Sequence, residues 1–149
     1  MLIVVSIIAL LAGIAYPSLA SGIQTVRLNT AARNVASFED LAVTHAERLQ
    51  EPMVLTISQL GNSLAMHSIS GVFARTLALG KDIRILRILP EAAVEGNPEV
   101  RTFFLYPGGA PPMLGVQIEN RDAKQRIISL DPITGVPKIA AVKDEAAGS

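Results

Sequence analysis

Thirteen basic and thirteen acidic side chains in 149 residues leave no formal net charge, so the cationic excess that marks a nucleic-acid-binding chain is missing. Cysteine and tryptophan are absent and aromatics make up 4%. That excludes disulfide staples, thiolate metal sites and stacking platforms for bases or sugars. The 50% of residues that are hydrophobic are enough for one apolar anchor and one small domain.

The anchor comes first. Residues 1–16 hold one polar side chain that objects to lipid, Ser6, whose hydroxyl a helix satisfies internally; the first charge is Arg27. Leu2, Ile3, Val4, Val5, Ile7, Ile8, Leu10, Leu11 and Ile14 supply the apolar surface, and Pro17 is expected to bend the helix rather than end it. At ~1.5 Å per residue the run reaches roughly 24 Å, short of the ~30 Å of a bilayer core. A secretory signal peptide is the competing reading, with Ala20-Ser21-Gly22 as its cleavage site, but the run shows no basic n-region.

Beyond Gly22 the pattern becomes striped. Leu28, Ala31, Val35, Phe38, Ala42, Ala46 and Leu49 recur at steps of three or four, the spacing of one helical face. Arg27, Arg33, Asp40, Glu47 and Arg48 lie off it. Glu39-Asp40 and Glu47 with Glu51 read as solvated charges. Pro52 stops the pattern. The expectation is one helix over residues 1–50, with two helices broken at Pro17 or Gly22 as the alternative.

After Pro52 the period changes to two. Residues 53–58 read as a strand with Met53, Leu55 and Ile57 on one face, Gly61-Asn62 as a turn and residues 63–69 as its return. Residues 71–80 suit either a short helix or an irregular strand. Residues 83–89 read as a strand, 90–99 as an acidic loop turning at Gly96-Asn97-Pro98, and 102–106 as a strand. Residues 107–112, Pro-Gly-Gly-Ala-Pro-Pro, form a loop. Residues 114–119 and 125–130 form a second hairpin, residues 131–135 turn, and 136–140 make a last strand. The fold class is α+β: a long helix, membrane half then amphipathic half, whose striped part covers one face of an antiparallel sheet. The organisation is a hydrophobic helix over 1–22, a domain over 23–141 and a flexible tail over 142–149.

The run LIVVSIIALLAGIAYPSL resembles the N-terminal helix of type IV pilins and type II secretion pseudopilins. In that family a phenylalanine and a short segment ending in glutamate, typically FTLIE, precede the apolar helix, which carries a proline near its far end. Pro17 matches that proline if FTLIE stands immediately before Met1. The stretch FFLYPGGAPPMLGVQIENRDAKQRIISLDPITGVPKI is similar to the GspH/FimT-type minor pseudopilin and pilin domain. The matching places are Tyr106, residues 107–109, Asp131-Pro132 and Thr134-Gly135. The similarity is weak across residues 71–99.

Other chemistry finds little support. His45 and His67 stand on different expected elements with no cysteine to join them. Gly108-Gly109 is followed by no lysine-serine pair and is flanked by prolines, which is no phosphate cradle. No serine stands in a nucleophile elbow. Asp122 and Asp131 lack the spacing of a calcium loop. No catalytic constellation, metal site or cofactor site is expected.

The resemblance therefore implies a structural subunit rather than an enzyme: a minor pseudopilin of a type II secretion pseudopilus. It would sit as a single pass in the bacterial inner membrane with its C-terminal domain in the periplasm. Its partners would be other pseudopilins or pilins in a filament, with an assembly ATPase acting on it indirectly. The alternative is a FimT-like minor pilin that assembles a pilus or captures DNA, with Arg121, Lys124, Arg126 and Lys138 as contacts. Where DNA-binding relatives carry arginines this chain has Gly135-Val136-Pro137-Lys138, so DNA is not the expected partner. Five more residues before Met1 would bring the helix to ~31 Å, enough to span. Reading the gene upstream in frame is thus expected to give a basic leader, a glycine and a segment close to FTLIE; a stop codon directly upstream would refute this.

Overall fold

The computed structural model describes residues 1–91 and 99–142. The turn expected at Gly96-Asn97-Pro98 and the tail expected at 142–149, beyond Val142, lie outside the described residues. A single helix, α1 (Leu2–Leu49), runs through Pro17 without interruption. It ends where Gln50 takes the left-handed conformation, φ 52° and ψ 37°, two residues before Pro52, a usual way for a helix to stop.

Eight strands follow among the described residues: β1 (Met53–Ser58), β2 (Ser63–Ser68), β3 (Ala74–Ala78), β4 (Ile83–Leu89), β5 (Val100–Leu105), β6 (Leu114–Asn120), β7 (Gln125–Leu130) and β8 (Pro137–Ala141). They form two four-stranded sheets, ordered β3-β2-β1-β5 and β4-β6-β7-β8, with every pairing antiparallel. The sequence pattern shows one sheet under the helix; the structure has two. The division arises because β5 returns to β1, pairing Met53 with Leu105 and Ser58 with Val100, while β4 leaves to pair with β6. Non-local pairing of this kind carries no signal in local periodicity.

The ambiguous segment at 71–80 resolves as edge strand β3, almost wholly exposed. It buries no face, so neither period could mark it.

The helix stripe and the inner faces of both sheets share one core. Leu28, Ala31, Ala32, Val35, Phe38, Ala42 and Ala46 of α1 join Met53, Leu55, Ile57, Leu64 and Met66 from one sheet. Ile85, Val116, Ile118 and Ile128 come from the other. Four of the seven helix positions are alanine, which lets the sheets approach the helix backbone closely. Side chains of the β1–β2 turn lock the sheets to each other. Asn62 Nδ2 donates to the Ile83 carbonyl (2.7 Å), its Oδ1 accepts the Ile85 amide (2.9 Å), and Gln59 Nε2 donates to the Leu86 carbonyl (2.9 Å).

One helix residue departs from the expected arrangement. Glu39 is not solvated; it is wholly buried. It stands four residues after Val35 and three before Ala42, squarely on the apolar stripe. Neither carboxylate oxygen has a hydrogen-bond partner among the described residues, and burial pushes its pKa from 4.5 to about 8. A carboxyl in such a place is tolerated by keeping its proton.

The folded protein therefore holds this proton up to about pH 8, while the unfolded chain releases it near pH 4.5. Between those values the folded state binds more protons, so stability is full at the acid end and falls as pH rises. The slope reaches about 1.4 kcal/mol per pH unit at most. Glu39→Gln is expected to flatten this fall, read as urea midpoints at several pH values between 5 and 8; parallel profiles for both chains would refute it. Phe38, 7% exposed within the core, gives a second check. In a fragment starting at Gln24, expected to unfold cooperatively without detergent, Phe38→Ala should cost about 3–5 kcal/mol in a denaturant titration.

Candidate functional site: the unburied helix and its neck

The first half of α1 buries nothing. Leu2 is 85% exposed, Leu10 66%, Leu11 61% and Ile14 67%, and Ile3, Val4, Val5, Ile7 and Ile8 are exposed likewise. By length and composition the helix is long and apolar enough to cross a membrane. Its hydroxyls are satisfied within the helix: Ser6 Oγ donates to the Leu2 carbonyl (2.8 Å) and Thr25 Oγ1 to the Ser21 carbonyl (3.0 Å). Such back-bonding lets a polar residue sit in apolar surroundings. Pro17 has no amide to donate, which frees the Gly13 carbonyl. A side chain at Gly13 would meet open space.

Exposed apolar surface continues past Pro17 through Leu19, Ile23 and Val26. There the domain closes on the helix. The β6–β7 turn is built on Asn120, which is 4% exposed. Its Oδ1 accepts the amides of Asp122 (3.0 Å) and Lys124 (2.9 Å), and its Nδ2 donates to the Gln24 carbonyl of α1 (3.2 Å). One side chain thus shapes the turn and pins it to the helix. Lys124 Nζ donates to Thr25 Oγ1 at 2.9 Å. Asp82, at the start of β4, pairs with Arg27 on the helix and with Arg121 Nε at 2.7 Å. Arg84 Nε donates to Glu119 Oε2 at 2.7 Å. Between these groups lies a cleft of about 360 Å³, bordered by Lys81, Asp82, Arg84, Glu119 and Arg121.

The four cations named from the sequence do not form one patch. Arg121 and Lys124 stand at this neck. Arg126 is half-buried, with Nη1 on the Gln125 carbonyl (2.9 Å). Lys138 lies at the other end of β7, opposite Ser129. The turn before it packs at Gly135 beside Val43 of α1, which is ~27 Å along the helix from Thr25. Gly135 has φ 71° and space shared with Pro111, so a side chain there would be strained. Lys138 Nζ bonds Asp131 Oδ2 at 2.6 Å. Asp131 Oδ1 also caps its own turn, accepting the Ile133 (2.8 Å) and Thr134 (3.2 Å) amides. The Lys138 bond first, then these amides, hold the Asp131 carboxyl at about 2.

His45 stacks on Phe73, ring centroids 4.0 Å apart, while His67 is exposed on β2. Among the described residues no three His, Asp or Glu side chains converge as a metal site would require. Sequence reasoning missed Asn120 and Asp82; nothing in their spacing announces that they close on a helix some hundred residues or some fifty residues away.

No protein-family model matches this chain, and no curated protein does. Among solved structures, the minor pseudopilin EpsH from the Type 2 Secretion System of Vibrio cholerae is similar over 77% of this chain and 97% of its own. The two share 12% sequence identity with a TM-score of 0.58. The fold is pilin-like. At that identity the likeness establishes the arrangement of helix and sheets, and it rests on packing rather than on shared residues.

Proposed function

We propose that this chain is a structural subunit of the minor pseudopilin kind, which works by assembly and not by catalysis. One observation carries the reading: a single helix is packed into a domain over its second half and left wholly bare and apolar over its first. A bare apolar helix needs lipid or other apolar helices around it. The similar protein is a minor pseudopilin of a type II secretion system, which supports a filament as the second setting. In this reading Leu2, Ile3, Val4, Val5, Ile7, Ile8, Leu10, Leu11, Ile14 and Pro17 hold the subunit in the inner membrane as a single pass, with the domain in the periplasm. The same residues repack among neighbouring pseudopilins when an assembly ATPase drives extraction. Lipid tails and a filament core are both apolar, so the transfer meets no large solvation barrier. No cofactor enters the reading.

The capture of DNA is disfavoured by geometry. Lys138 is tied to Asp131 and stands far along the helix from Arg121 and Lys124, which themselves hold Asp82 and Thr25. A duplex titration at ~150 mM salt is expected to show nothing tighter than ~100 μM. The assembly reading is tested by Ile7→Lys with Leu11→Lys, two charges on one helix face. Each costs roughly 2.5–3.5 kcal/mol at the centre of a membrane helix. The expected result is loss of the chain from the membrane fraction and from cross-linked pseudopilin products, with the domain's unfolding transition unchanged. A double variant that still fractionates and cross-links normally would overturn the proposal.

A further inference from the structure

The cleft at the neck lies where a membrane surface would lie if the apolar helix is inserted, and its charges suit that surface. We infer that this cleft docks the anionic headgroups of the phospholipids around the emerging helix. The inference rests on the membrane reading of the apolar helix given above.

Position is the first support. The β6–β7 turn touches α1 at Gln24 and Thr25, and the start of β4 touches it at Arg27. Arg27 is also the first charge in the chain. The exposed apolar residues Ile23 and Val26 sit within the same helical turn. Headgroup layers add only roughly 5–8 Å beyond each side of the hydrocarbon, the height of about one helical turn. With residues 2–22, about 30 Å of helix, in the hydrocarbon, the cleft stands at headgroup height. Lys138, paired with Ser129, stands about five strand residues, roughly 16 Å, from the β6–β7 turn.

Charge is the second support. Arg27, Lys81, Arg84, Arg121 and Lys124 surround the neck, against Asp82, Glu119 and Asp122. Asp82 is shared by two guanidinium groups, so its single charge cannot neutralise both. Lys81 makes no ion pair among the described residues and is exposed at the rim. The chain as a whole is neutral, so this cationic surplus is balanced by acidic side chains elsewhere. Guanidinium and ammonium groups gathered at one place recognise phosphate by charge-assisted hydrogen bonds, and basic groups close to a bilayer are drawn to anionic lipid. Contact of this kind would hold the domain against the membrane until extraction, when the helix and the cleft leave the lipid together.

The full chain, reconstituted in nanodiscs of neutral phosphatidylcholine or of phosphatidylcholine with phosphatidylglycerol, gives the test. Amide hydrogen exchange is followed at residues 80–84 and 120–124. Exchange there is expected to be several-fold slower in anionic discs, and to return towards the neutral-disc rate in high salt, since screening is nearly complete within ~3 Å at 1 M. Lys81→Gln and Lys81→Glu, which remove no ion pair found in the structure, should weaken the effect progressively. Equal exchange in both kinds of disc, with residues 2–22 protected, overturns the headgroup contact and leaves the anchor reading standing. The same protection produced by inorganic phosphate in neutral discs also overturns it, since the cleft would then take a free anion. Free exchange across residues 2–22 overturns the anchor reading and this inference with it.

Discussion

Continuity of the helix backbone from its bare apolar half into its packed half is the constraint on which the rest depends. Residues 2–49 form one rod, so the domain cannot reorient independently of the bare apolar segment. The core stripe begins at Leu28, only two residues beyond Val26, the last bare apolar residue. The transition between the two regimes is therefore abrupt, and the groups that mark it, Gln24, Thr25 and Arg27, are also those the β sheets hold most tightly at that end. Small side chains at Ala31, Ala32, Ala42 and Ala46 let two sheets press on one helix. Larger residues there would hold the sheets away and leave Val35 and Phe38 half-wet.

Polar side chains placed at junctions do the work that hydrophobic burial, being non-directional, cannot do. Asn62 and Gln59 join the sheets by bonding the backbone of β4. Asn120 joins the second sheet to α1 while closing its own turn. Asp131 organises the turn before β8 through two amides and Lys138. Each of these groups is satisfied. Glu39 is the contrast, buried without a hydrogen-bond partner among the described residues and neutral below about pH 8, so it adds no direction to the packing, and stability falls as pH rises towards 8.

Much of the fold was legible because local pattern and burial agree. The helix, the strands at 53–58, 83–89 and 125–130, and both hairpins carry their periods openly. The DPxTG turn was legible because aspartate followed by proline and a later glycine has a definite geometry. What stayed hidden depends on partners far away in the chain. The return of β5 to β1 and the splitting of the strands into two sheets leave no trace in a local window. Strand β3 was ambiguous because an edge that sets only Leu77 against the core has almost no apolar face to display. Glu39 was misread by residue type, although its position three before Ala42 placed it in the stripe.

The cations show how far composition can mislead about a partner. Arg121, Lys124, Arg126 and Lys138 fall close together in sequence and read as a possible patch for a polyanion. Antiparallel pairing undoes this, because β7 carries the chain from the β6–β7 turn at the neck to the β7–β8 turn at its other end. Lys138 goes towards the other end and bonds Asp131, while at the neck Arg121 pairs with Asp82 and Lys124 bonds Thr25 of α1. New neighbours arrive there that the sequence kept apart: Arg27 from the helix, Lys81 and Arg84 from the start of β4. A long duplex needs cations spread along a track, and the pairing destroys that track. A membrane surface, as proposed above, needs them at one height around an emerging helix, and the pairing gathers Arg121, Lys124, Arg27, Lys81 and Arg84 near the neck. Sheet register therefore decides which cations share a surface, and a reading of composition alone cannot.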